Sequence, residues 1–218
     1  PELSRGLGDV YKRQRERFDH FFGKNNYEII KTPELAENPL NFPGYKEKLE
    51  RGRKITGHHC AVMVAQGVKN GIKVTSFAID SRFNGGSINA SAGEAIVYCF
   101  QKAIDDLTPV VAWSEGGGQA MQESNIALHF MVKTVLAANT FKDSTKLPFI
   151  NIYTNKLFNC MKECIPKKTK DPPMVVLTPG IYNSAYFEHS YLAEQMGIAL
   201  VEGKDLFVEN DIVYMKTV

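Results

Sequence analysis

The chain has 218 residues, of which 44% are hydrophobic and 23% charged, with 26 basic side chains against 24 acidic ones. That is ordinary globular material, enough for one large domain or two small ones. A formal net charge of +2, with both signs interleaved as in "GYKEKLERGRK", gives no reason to expect nucleic acid as a partner. No apolar run approaches the ~20 residues that a membrane span needs. Four cysteines in this length do not form a secreted disulfide framework, so a reducing cytoplasm is the expected location.

Residues 1–14, "PELSRGLGDVYKRQ", have no clear period, and "DVYKRQ" is what a transposon end used in sequencing libraries encodes; the stretch is expected to be a non-native leader. From Arg15 to Arg53 the chain is polar and aromatic, interrupted by Pro33, Pro39 and Pro43, with a short charged helix expected over 45–53. "CAVMVAQGVKNGIKVTSFAID" gives two apolar runs around Lys69-Asn70-Gly71, and Asn-Gly between such runs is a strong hairpin signal. A loop with Gly85-Gly86 then feeds a helix over about 91–106. A buried strand, "PVVAW", leads through Gly116-Gly117-Gly118 to a long helix over about 120–141, and "LPFINIYT" reads as another strand. The order is β-β-loop-α-β-loop-α-β, with Gly-Gly at the entry to both helices.

After Asn155 the character changes. "KLFNCMKECIPKKTKDPP" is a lysine-rich connector closed by prolines, assigned as a linker or seam over 156–171. The remainder reads as strand, loop, helix and strand, with Gly197 at a helix C-cap and a closing hairpin around Glu209-Asn210-Asp211. Two cysteine arrangements, His58-His59-Cys60 and Cys160/Cys164, are weak as metal ligands. Neighbouring strand side chains point to opposite faces, and the second pair has no further ligands nearby, so no metal is expected.

The glycine loops are the candidate place for chemistry. Unpaired backbone N–H groups in a glycine turn at a helix N-terminus can donate to an oxygen that gains negative charge during a reaction, lowering a barrier by about 3 kcal/mol per donor. The alternative is that the glycines only permit a tight turn. Neither loop matches a Walker A or dinucleotide fingerprint.

"FFGKNNYEIIKTPELAENPLNFPGYKEKLERGRKITG", "FNGGSINASAGE", "GGGQAMQE", "MVKT" and "LPFINIYT" together resemble the carboxyltransferase β subunit of bacterial acetyl-coenzyme A carboxylase, over roughly residues 18–155. The resemblance implies a truncated domain over 15–155 with a partial crotonase-like fold, an α/β spiral of β-β-α units. It implies transfer of a carboxyl group from carboxybiotin, carried on a biotin carboxyl carrier protein, to acetyl-coenzyme A, with a carboxyltransferase α subunit as partner. Decarboxylated biotin is then the group that takes the α proton. By that resemblance Gly117, Gly118 and the N–H of Gln119 form an oxyanion hole, Gly85, Gly86 and Ser87 shape the neighbouring substrate loop, and Lys133 matches a substrate-binding place that an exposed helix lysine would also explain. Three departures stand out. The family's arginine place is Ala120, its four-cysteine zinc ribbon is absent, and the Gly-Gly-Val and serine segment expected after "INIYT" is replaced by the connector. Activity in this chain alone is therefore expected to be incomplete.

The tail, "VVLTPGIYNSAYFEHSYLAEQMGIALVEGKDL" with "VYMKT", resembles circularly permuted ATP-grasp proteins over about 172–218. That implies a small separate α/β unit and, as an alternative function, a fragment of an ATP-dependent carboxylate–amine ligase, or an inactive chimera of the two pieces. Tyr182, Asn183 and Ser184 are candidates for a ligand loop there, without a catalytic role.

Overall fold

The computed structural model describes residues 14–114, 116–165 and 174–216. Nearly all of the expected leader, positions 166–171 of the expected linker and the chain's last two residues lie outside the described residues. The chain divides into two compact units, one ending at Ile152 and the other running on from Tyr153.

The first unit is built on one five-stranded sheet in sequential order. Strands β1 (Tyr27–Ile30), β2 (Val62–Lys69) and β3 (Ile72–Ile79) are antiparallel, whereas β4 (Val110–Trp113) and β5 (Phe149–Asn151) join parallel to β3 and to each other. The β2–β3 hairpin closes on Lys69 opposite Ile72, and Asn70 and Gly71 both adopt positive φ, as a tight primed turn requires. Three helices bear on this sheet's first face: α2 (Tyr45–Thr56), α3 (Ala90–Asp105) and α4 (Asn125–Thr145). Alternation along the strands sorts two cores. Val62, Val64, Phe77, Ile79, Val110 and Ala112 meet Leu49 of α2, Ile96 and Phe100 of α3 and Phe141 of α4. Met63, Ala65, Val74, Ala78, Val111 and Trp113 point to the other face, against Phe18 and Phe22 of helix α1 (Gln14–Phe22). The β2–β3–α3 unit followed by β4–α4–β5 is the expected partial β-β-α spiral.

Helix α1 and strand β1 fall in a stretch whose sequence pattern gives no element. Strand β1 has only four residues, and α1 buries two phenylalanines beside two polar residues whose hydrogen-bond partners lie far along the chain. Gln14 is one of those two. Although it falls inside the expected leader, its side-chain amide donates to Ala61 O at 2.8 Å and Ala78 O at 2.7 Å, tying α1 to the first hairpin. Arg17 follows with a bond to Ile79 O at 3.3 Å. A leader that reached to residue 14 would thus cut into the folded unit.

The second unit begins with helix α5 (Tyr153–Glu163), a helix in a stretch where the sequence shows little period. Strands β6 (Val175–Thr178) and β7 (Ala199–Glu202) pair in parallel around helix α6 (Tyr186–Met196), which ends on Gly197 in the left-handed conformation, as expected. Strands β8 (Leu206–Glu209) and β9 (Ile212–Met215) form the closing hairpin, turning through Asn210 and Asp211, both at positive φ. No helix among the described residues is long and apolar enough to cross a membrane.

Candidate active site: two glycine loops held side by side

The two Gly-Gly loops lie against each other. Ile88 N–H donates to Gly118 O at 2.8 Å and Ala120 N–H donates to Ile88 O at 2.9 Å, so Ile88 and Gln119 form a single parallel bridge. That parity turns the N–H of Gln119 away from Ile88. Among the described residues no hydrogen-bond partner engages the N–H of Gly117, Gly118 or Gln119. The first two of these residues are exposed and Gln119 is half-buried. Glu115 lies outside the described residues.

Two physical requirements account for the glycines. A side chain at Gly117 would put its Cβ 2.6 Å from Gly85 O, so at that position the group that must approach closely is the other glycine loop itself. Gly118 faces open space, but its φ of +84° is one that side-chain-bearing residues rarely adopt. The Gln119 side chain, with its amide nitrogen facing the carbonyls, donates to Ala127 O at 2.8 Å and Ile88 O at 3.2 Å and pins the loop further. Gly85 and Gly86 also lie at positive φ, and Ser87 runs extended toward Ile88.

Helix α4 starts at Asn125, five residues later than its apolar period suggests. Ala120 is held extended by its bond to Ile88, Met121–Glu123 form one 3-10 turn, and Ser124 at a φ of 47° separates that turn from the helix. The positive end of α4 is therefore set back from Gly117–Gln119, which are donors because of the turn and not because they open the helix. The N-terminus of α3 is occupied from within the chain. Asn89 accepts from Ala92 N–H at 2.9 Å, and the Glu123 carboxylate accepts from Ala90 N–H at 2.7 Å. Glu123 is 1% exposed and also accepts from Tyr45 Oη at 3.0 Å. Burial and then the Glu123 charge push the Tyr45 phenol above its ordinary range. The first turn of α3 thus has two of its N–H groups filled by the chain's own side chains, whereas the Gly117–Gln119 turn keeps all three of its donors open among the described residues. The sequence pattern gives no sign of Glu123's role; the only clue is a carboxylate placed just before an apolar helix.

Lys133 bridges α4 to α3. Its Nζ lies 2.6 Å from Glu94 Oε2 on α3 and 4.9 Å from the Phe130 ring centroid, about 12 Å along α4 from its start at 1.5 Å per residue. Ala120, in the family's arginine place, is 2% exposed. Cys60 points into the core, its thiol donating to Val62 O at 3.3 Å, and burial pushes that thiol up to about 12. His59 faces Thr32 with 3.5 Å between Nε2 and Oγ1, and burial holds both His58 and His59 below the usual histidine value. No group of three or more His, Cys, Asp or Glu among the described residues is placed to hold a metal ion. In the second unit, Thr178 Oγ1 lies 3.0 Å from His189 Nδ1, and Asn183 Oδ1 accepts from Ala185 N–H at 2.9 Å, so Asn183 shapes the turn into α6.

Residues 42–155 match the carboxyl transferase domain model, and residues 122–218 match the model of a circularly permuted ATPgrasp, the two spans overlapping over 122–155. The chain is 44% identical over 144 residues to the acetyl-coenzyme A carboxylase carboxyl transferase subunit beta of Pelagibacter ubique, covering 65% of this chain and 46% of that protein. The subunit of the same name from Caulobacter vibrioides is 34% identical over 142 residues, covering 64% of this chain and again 46% of that protein. The chain thus spans about half the length of the curated relatives it matches. Among solved structures, the Pseudomonas malonate decarboxylase MdcD–MdcE hetero-dimer is similar at 15% identity, with a TM-score of 0.49 over 88% of this chain and 79% of that one. Transcarboxylase 12S is similar at 17% identity, with a TM-score of 0.49 over 62% and 24%.

Proposed function

The chain belongs to the carboxyl transferase domain family, and from that premise we propose that its first unit is the acyl-coenzyme A half of a biotin-dependent carboxyl transfer site. The substrate is acetyl-coenzyme A and the carboxyl donor is carboxybiotin presented by a carrier protein. The observation that carries this reading is the exposed Gly117–Gln119 turn, whose three N–H groups have no partner among the described residues. A thioester oxygen gains negative charge when the α carbon gives up its proton, and preorganised backbone donors stabilise that charge without reorganising. Gly85, Gly86 and Ser87 support the turn from below, since the Gly85 carbonyl is the surface on which Gly117 rests. Lys133 serves the contact between α3 and α4 more directly than it serves substrate.

A carboxyltransferase α subunit and a biotin carboxyl carrier protein complete the reaction in this reading, in the cytoplasm, with neither nucleic acid nor membrane involved. The chain by itself supplies one side of a two-substrate site and will not form malonyl-coenzyme A. The test is a titration of the nitrogen-15-labelled full chain with acetyl-coenzyme A and, separately, with ATP. Shifts of the Gly117, Gly118 and Gln119 amides with acetyl-coenzyme A support the reading. Amides that stay still overturn it, as does malonyl-coenzyme A formed by the purified chain alone as regards the half-site claim. A second reading, a fragment of an ATP-dependent carboxylate–amine ligase, rests on the ATPgrasp match over 122–218; it predicts shifts with ATP within that span and none at Gly117–Gln119.

A further inference from the structure

Glu123 closes a ring of contacts around the donor turn. On one side of the ring the chain runs Ile88-Asn89-Ala90 into α3; on the other it runs Gly118-Gln119-Ala120 into the 3-10 turn. Two backbone bonds join the sides at Ile88, and the Glu123 carboxylate joins them again at Ala90, while Glu123 N–H returns to Ala120 O at 3.0 Å. Tyr45, reaching in from α2 and 3% exposed, holds the second carboxylate oxygen. A buried carboxylate left with an open oxygen is costly, so both partners constrain where it sits. Its place at the first turn of α3 is also favoured by the helix dipole.

We propose that Glu123 is a positioning residue: by bridging Ala90 N–H and Tyr45 Oη it fixes the register of the two glycine loops, and with it the direction of the Gly117, Gly118 and Gln119 N–H groups. Glu123 touches no substrate. Its bearing on carboxyl transfer rests on the reading above, but its effect on the loop does not, and the experiment that tests it contains no acyl-coenzyme A. Failure of acetyl-coenzyme A to bind would count against the function and leave this geometry standing.

The experiment compares the full chain with Glu123→Ala, Glu123→Gln and Tyr45→Phe by amide hydrogen exchange and by the nitrogen-15 resonances of the loop. In Glu123→Ala the Ile88 and Ala120 amides exchange on the order of tenfold faster, whereas amides of the β2–β3 ladder change less than about twofold, because the opening is local. The Gly117–Gln119 resonances move or broaden. Glutamine can still accept from Ala90 and face Tyr45, so Glu123→Gln restores both readouts. Unchanged loop amides in Glu123→Ala, ladder amides that accelerate equally, or a glutamine variant as impaired as alanine would each overturn the proposal. If Glu123→Ala does not fold, Tyr45→Phe decides: loop resonances that move with an unchanged ladder sustain it, and unmoved ones overturn it.

Discussion

The two units use their apolar residues in opposite ways. In the first, both faces of the sheet are covered, and Phe18, Phe83 and Phe141 are buried to within 2% of full coverage. In the second, the buried apolar residues among the described ones are Ala193, Met196 and Val201, while Phe187 is 77% exposed, and Leu177, Val208 and Val213 are exposed as well. Folding offsets the entropy of ordering a chain mainly by burying apolar surface, so the described part of the second unit, with three modest buried side chains, has little to offset it with. Family membership and packing point the same way. The hydrophobic cores found among the described residues lie in the unit that holds most of the carboxyl transferase match.

The largest expected effect separates the two directly. Phe141→Ala removes a ring packed against Phe100, with centroids 5.8 Å apart, and is expected to cost about 3–5 kcal/mol, a large share of a domain's whole stability. Phe187→Ala removes an exposed ring and should change stability by no more than about 0.5 kcal/mol. Chemical denaturation followed by Trp113 reads the first unit, because the only tryptophan lies there. If Phe187→Ala shifted the Trp113 transition as far as Phe141→Ala does, the units would share one cooperative core and the contrast would fail.

A smaller effect tests whether the packing extends to the loops. Gly117→Ala forces a methyl to within 2.6 Å of the Gly85 carbonyl, and overpacking against backbone costs typically 1–3 kcal/mol. Gly203→Ala, in the second unit, meets nothing within 4 Å and should be silent. Thermal unfolding of both variants decides this. Equal, small shifts would mean that the glycine loops give way easily and hold no fixed geometry for donors.

What could be read from the sequence follows from how far apart in the chain each cause lies. The β2–β3 hairpin, the α3 helix and the C-cap at Gly197 are set by neighbours within a few residues, through Asn70-Gly71, the period of Ile96, Cys99 and Phe100, and a single glycine. The start of α4 is not, because Ala120 is drawn out of the helix by Ile88, which lies 32 positions earlier. Helix α1 was hidden for the same reason: its polar residues find partners at Ala61, Ala78 and Ile79. The turns at Gly85-Gly86 and Gly117-Gly118 were legible from their motifs. Why Gly117 must be glycine was not, since the cause is a carbonyl from the other loop. Glu123 has no local signal of its role, because nothing near it in sequence shows that it turns inward to Ala90 and Tyr45.

The smallest effect concerns charge. In the first unit Asp106 gathers three donors: Gln66 Nε2 at 2.7 Å, Lys102 Nζ at 3.0 Å and Lys73 Nζ at 3.1 Å. In the second, Glu202 pairs with Lys204 at 3.0 Å, with the lysine side chain 73% exposed. Exposed single pairs contribute about 0–1 kcal/mol, whereas a carboxylate held by several donors titrates visibly. The Gln66 amide first, and then the two lysines, lower the Asp106 carboxyl from 3.8 to about 2. Because the folded value lies below the unfolded one, the stabilisation is complete above the unfolded value and is lost as pH falls through about 2. Asp106→Asn should therefore lower stability by roughly 1 kcal/mol near neutral pH and converge on the wild type toward pH 2, whereas Glu202→Gln should show little difference at any pH. Denaturation midpoints measured from pH 7 to pH 2 provide the check. A pH-independent gap for Asp106→Asn would mean that the hub acts through its neutral hydrogen bonds, and that the charge difference between the two units carries no stability.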